Sequence, residues 1–195
     1  MGPAPMVTFC GNSVRALTTA VCALALSVGA VVVAPSSARA DDTITTQDYF
    51  SYYKLDQARA KGYTGKGVTI AMIDGPVDTS APELAGANIT VKTPCEYEAA
   101  KSTKTHATVV ASVLVSKNYG VAPDATLIAY STPSVDDKVS EVCKKDRSGI
   151  KGDTFAAFEM AMNDGAQIIS YSSSDTNHDV EFLKWAIARA MARGV

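Results

Sequence analysis

Apolar residues fall along this chain in short runs, and the spacing within each run separates strands from helices. In VTIAMIDGPVD, the residues Val68, Ile70, Met72 and Ile73 make an almost continuous apolar run of strand length. The run closes on the carboxylate of Asp74, and Gly75-Pro76 then turns the backbone. GANITVKT alternates, with Ile89 and Val91 on one side, and predicts a second, more polar strand. ATLIAYS and QIISYSSS predict a third and a fourth.

Between the strands the spacing becomes helical. HATVVASVLVS places Val109, Val110, Val113 and Leu114 for a largely buried helix that His106 opens. QDYFSYYKLDQARAKG predicts a short helix capped by Asp48 and stopped by Gly62. GDTFAAFEMAMNDGA predicts another, capped by Asp153 or Thr154 and stopped by Gly165. A last helix opens at Asp179, carries Phe182, Leu183, Ala186, Ile187 and Ala190 on one face, and closes at Gly194. The charged, irregular segment 133–151 reads as a surface loop. Strands alternating with helices predict a three-layer α/β fold with a mostly parallel central sheet. In such sheets, function gathers at the carboxyl ends of the strands.

The first 40 residues differ from the rest. They hold no Asp or Glu, Arg15 precedes an apolar stretch over 16–34, and Ala38 and Ala40 form the small pair of a cleavage site. The pattern predicts a secretory signal peptide removed after Ala40. An uncleaved membrane anchor is the alternative, since about 18 apolar residues nearly span a bilayer. Removing Arg15 and Arg39 takes the 18 basic residues to 16 against 20 acidic ones, a balance of −4. No basic patch points to nucleic acid, and no membrane partner is expected after cleavage. No Gly-rich phosphate loop follows a strand, which argues against nucleotide binding. Cys10 and Cys22 leave with the leader, so Cys95 and Cys143 remain. They either pair in an oxidising compartment or stay separate thiols in surface loops.

Two residues carry candidate chemistry. Asp74 ends a strand where a parallel sheet faces a cleft, although Asp before Gly-Pro is also an ordinary turn residue. His106 stands at an expected helix start, where the positive end of the dipole favours the neutral ring that a general base needs. A capping histidine is the plainer reading.

Four motifs in order, covering residues 62–195, resemble the subtilisin-like serine proteases, or subtilases. GYTGKGVTIAMIDGPVDTSAPEL resembles the surroundings of their catalytic aspartate. HATVVAS resembles their His-Gly-Thr-His-Val-Ala-Gly, and YGVAPDATLIAYSTP their Gly-Val-Ala-Pro segment and the strand after it. FEMAMNDGAQIISYSSS is similar to the helix and strand that end in Ser-Leu-Gly. The resemblance implies a secreted endopeptidase with a subtilisin-like fold, acting on polypeptides. Asp74 would orient His106, and His106 would take the proton of an attacking serine. Ser172, Ser173 and Ser174 fall on the motif whose backbone pairs with extended substrate, or else form a polar loop. Glu83 aligns with an acid that binds calcium in some relatives, but no further ligands are recognisable and no cofactor is required.

The chain also departs from the pattern. Gly75-Pro76 replaces Thr/Ser-Gly, which resembles the subtilases that mature cyanobacterial ribosomal peptides. Ala107, Val109 and Ser112 replace Gly, His and Gly. The family's oxyanion-hole Asn and its Gly-Thr-Ser nucleophile fall beyond Val195, and neither Gly-Thr-Ser nor Gly-x-Ser-x-Gly occurs here. The expectation is therefore the N-terminal part of a catalytic domain, inactive by itself. The alternative is an exported pseudoprotease or peptide-binding fragment.

Overall fold

Strand β1 (Thr69–Asp74) runs through the centre of the protein, and from Ile70 to Ile73 its residues are at most 4% exposed. A strand covered on both faces has no use for a polar alternate residue, which explains its unbroken apolar run. The computed structural model describes residues 43–134, 137–139, 152–172 and 180–195. The expected leader and its cleavage site lie outside them, as do Cys143, Ser173, Ser174 and Asp179.

Three further strands join β1: β2 (Asn88–Lys92), β4 (Thr126–Ser131) and β6 (Ile168–Tyr171). The order is β2-β4-β1-β6 and every pairing is parallel. Helix α3 (Lys101–Val115) covers one face, where Ala107, Ala111 and Val115 meet Ile70, Met72, Leu127 and Ala129. Helices α4 (Gly152–Asn163) and α5 (Val180–Ala192) cover the other, where Phe158, Ala161 and Ala186 meet Ala71, Ile73 and Tyr130. This is the expected three-layer α/β fold with a parallel sheet.

Several element boundaries differ from expectation. The first helix is two, α1 (Asp48–Tyr52) and α2 (Leu55–Ala60), broken at Lys54 in the left-handed conformation with φ +54°. Asp48 lies inside α1 and the cap position belongs to Gln47, which makes no side-chain cap bond. The break lets Arg59 stack over Phe50 at 4.8 Å and donate to the carbonyls of Lys117, Asn118 and Gly120. Helix α3 begins at Lys101, five residues before His106. Its outward face carries Val109, which is 56% exposed, while the smaller alanines lie on the sheet.

The segment expected to be a loop over 133–151 contains β5 (Lys138–Val139), paired antiparallel with β3 (Tyr97–Glu98). Neither Asp153 nor Thr154 caps α4, because both lie within it. Gly62 and Gly165 follow α2 and α4 at positive φ, as stop residues do. On α5, Ala186 and Ala190 are buried, but Ile187 is 46% exposed and lines an apolar cavity of about 420 Å³ with Phe158, Ile169, Tyr171 and Leu183. Cys95 is disulfide-bonded, and Cys143, the candidate partner, is outside the described residues.

A polar junction ties the sheet to α4. Asp164 accepts from Lys92 Nζ at 2.7 Å and from the Tyr130 hydroxyl. The lysine and then the phenol hold the Asp164 carboxyl below its usual range. Burial, with the same carboxylate beside it, pushes the Tyr130 phenol well up. A depressed carboxyl contributes stability above its unfolded pKa of about 3.9 and loses it as pH falls through the folded value. Asp164→Asn is expected to cost about 1–2 kcal/mol at pH 7, with the gap from the parent closing towards pH 2. Urea unfolding at the two pH values checks this.

Candidate active site

β1 delivers Asp74 to the carboxyl edge of the sheet, opposite Ser131 of β4 in register. Its side chain is 7% exposed. Thr132, the residue just after β4, donates its N–H at 2.7 Å and its hydroxyl at 3.2 Å to the Asp74 carbonyl. The main chain is therefore fixed just where the carboxylate leaves it. Asp74 Oδ1 accepts from the Gly75 N–H at 2.7 Å.

His106 reaches the same oxygen. Its Nδ1 lies 2.9 Å from Asp74 Oδ1. A carboxylate only accepts, so chemistry places the proton on Nδ1 and the lone pair on Nε2. The ring is 55% exposed, and among the described residues nothing else bonds it. Because α3 starts at Lys101, His106 sits in the second turn, and the expected role of the helix dipole is withdrawn: that field fades beyond the first turn. The carboxylate, not the helix end, sets the tautomer.

Gly75 makes the approach possible. A Cβ there would stand 2.4 Å from Thr103 Cγ2 and 2.9 Å from the Thr103 carbonyl oxygen. Thr103 lies one turn before His106, so contact at Gly75 sets how closely α3 meets the end of β1. Pro76 supplies no N–H, and Asp74 Oδ2 is buried with no hydrogen-bond partner among the described residues. One carboxylate oxygen carries all the visible bonds.

Ser172 follows β6 directly and is exposed. Continuing the register from Ile73 opposite Tyr171 brings it level with Asp74 on the neighbouring strand. Glu83, the expected calcium candidate, accepts from the Ile44 N–H at 3.1 Å. Among the described residues, no cluster of three or more metal-ligating side chains occurs.

The family follows from this sheet, this pair and the chain's likeness to known proteins. The sequence model of the subtilase family matches residues 65–195. The chain belongs to the subtilase family. It is similar to the minor extracellular protease Vpr of Bacillus subtilis (strain 168), 29% identical over 173 residues, covering 80% of this chain and 20% of Vpr. The chain thus spans about a fifth of that relative's length. Among solved structures it is similar to the prenylagaramide maturation protease PagA, 26% identical with a TM-score of 0.51, over 72% of this chain and 48% of PagA. MycP1 from the ESX-1 type VII secretion system shares the fold, 22% identical with a TM-score of 0.54, over 80% of this chain and 45% of MycP1.

Several residues around the pair were not legible in the sequence. Thr103, Thr132, Asp137 and Tyr97 hold the two elements that carry Asp74 and His106, through bonds that span 34 to 58 residues of the chain. No local pattern marks them.

Proposed function

We propose that the chain carries the acid and base of a serine endopeptidase triad. Asp74 holds His106 in the Nδ1-protonated tautomer, and His106 Nε2 takes the proton of a serine hydroxyl as it attacks a peptide carbonyl. The proton then passes to the leaving amine. The observation that supports this reading is the 2.9 Å contact between a buried strand-end carboxylate and a half-exposed imidazole at the carboxyl edge of a parallel sheet.

Ser172, Ser173 and Ser174 provide the edge on which an extended substrate lies, bonded through its main chain. Export proceeds through residues 1–40, with cleavage after Ala40; the acid-free, apolar composition of that segment supports this. Within the 195 residues no Gly-Thr-Ser occurs, so two of the three triad groups are in hand. The alternative reading is an exported pseudoprotease or peptide-binding fragment without hydrolysis.

Two measurements on the 195-residue protein test the proposal. An unstructured polypeptide is expected to shift the NMR signals of Ser172 and His106 together. A fluorophosphonate probe is expected to label no serine. Shifts elsewhere would remove the substrate edge, and robust labelling would reveal an activated serine and overturn the assignment of roles.

A further inference from the structure

We infer that the small β3–β5 sheet is a positioning device for the Asp74–His106 pair and that Tyr97 is its working residue. The inference rests on the triad reading above. Neither strand hydrogen-bonds the imidazole among the described residues, yet both partners of the pair are held from this two-residue ladder.

The acid is held through β4. The Tyr97 hydroxyl donates to the Thr132 carbonyl at 3.1 Å and lies 2.7 Å from Ser131 Oγ, which donates to it in turn. Ser131 and Thr132 are 2% and 7% exposed, so water does not compete for these bonds. Thr132 passes the constraint on with its two bonds to the Asp74 carbonyl. Tyr97 therefore fixes the backbone from which the carboxylate projects.

The base is held from the other strand. Asp137 directly precedes β5, and its Oδ1 accepts from the Ala100 N–H at 2.7 Å and from Thr103 Oγ1 at 3.0 Å. Its Oδ2 accepts from the Ser134 N–H at 2.7 Å. These bonds fasten the start of α3, for which the local sequence offers no side-chain cap. Ala100 follows β3 and Asp137 precedes β5, so the pairing of Tyr97 with Val139 and Glu98 with Lys138 ties the two anchors together. A shift of the ladder moves the strand end and the helix start at once. Such coupling suits a pair whose function depends on a single hydrogen-bond distance.

The test reads the imidazole, not global stability. In the intact 195-residue protein, NMR follows the His106 Nδ1 proton and its exchange with water. Tyr97→Phe keeps the ring and removes the hydroxyl, and Thr132→Val keeps the shape and removes one bond to Asp74. Each is expected to speed exchange of that proton roughly tenfold, about what the loss of one buried hydrogen bond allows. Tyr49→Phe serves as control. It removes the bond from Tyr49 to the Tyr119 carbonyl, at a site apart from the pair, and is expected to leave the imidazole proton unchanged. If Tyr97→Phe exchanges like the parent, or Tyr49→Phe accelerates exchange equally, the positioning role is overturned while the triad reading stands. If the parent shows no Nδ1 proton that Asp74→Ala removes, the pair itself is wrong and the inference falls with it.

Discussion

Gly75→Ala is expected to lower the unfolding free energy by about 2–3 kcal/mol and to separate Asp74 from His106. The added methyl would meet Thr103 Cγ2 at 2.4 Å, the Thr103 carbonyl oxygen at 2.9 Å and its carbon at 3.2 Å. A threonine methyl can rotate away. A helical carbonyl cannot move without bending α3, and α3 carries His106 one turn on. Relief therefore comes by pushing the helix off the strand end, which lengthens the 2.9 Å contact. Denaturant unfolding gives the first effect, and loss of the imidazole Nδ1 proton signal gives the second. Thr103→Ser in the same background removes the nearest atom and should recover part of the stability. A Gly75→Ala protein within about 0.5 kcal/mol of the parent, the scatter of ordinary surface substitutions, would mean that the approach is looser than drawn.

Gly120→Ala is expected to cost about 3 kcal/mol or more, at the top of the range for overpacking. Here every near neighbour of the new methyl is main chain: Ser116 N at 2.4 Å, and Ser116 O and the Val115 carbonyl carbon at 2.7 Å. The loop has little freedom to yield. Arg59 holds the carbonyls of Lys117, Asn118 and Gly120, and the Tyr49 hydroxyl holds that of Tyr119. Just beyond, Val121 and Ala122 donate back to the Val113 and Leu114 carbonyls. For a chain of this size the loss corresponds to a fall of roughly 6–12 °C in melting temperature. A change below about 2 °C in a calorimetric scan would show that the turn rearranges freely.

The fold was legible where burial dictates composition. Ile70–Ile73 could only be an interior strand, and Leu127–Tyr130 another, because both faces of each are covered. Gly62 and Gly165 ended their helices at positive φ for reasons local to the backbone. Misreadings arose where distant contacts overrode local preference. The start of α3 is KSTKT, a polar stretch rich in threonine that reads as loop, and it becomes helix because Asp137 fastens it from 34 or more residues away. Val109 looked like core because spacing gives a period without saying which side faces inward. The break at Lys54 has neither glycine nor proline to announce it. Strands of two residues, such as β3 and β5, lie below what alternation can resolve.

The same holds at the site. Asp74 and His106 stood out through a family pattern, and structure places them 2.9 Å apart. The ring of supports around them is assembled from β3, β4 and the segment before β5, so no contiguous motif could contain it. The departures from the family pattern also acquire a setting. Ala107 is fully buried against the sheet and Ser112 is 5% exposed, whereas Val109 points to solvent.

The alanine face of α3 works as a spacer gauge. Ala107 and Ala111 are the thinnest side chains that still exclude water, and both are fully covered where the helix meets Ile70, Met72 and Leu127. Layer thickness on this side of the sheet is consequently set by methyl groups, and the imidazole, rigidly borne on the same rod, inherits that calibration. Bulkier side chains at those two points would detune the pair from beneath while leaving both of its side chains chemically intact.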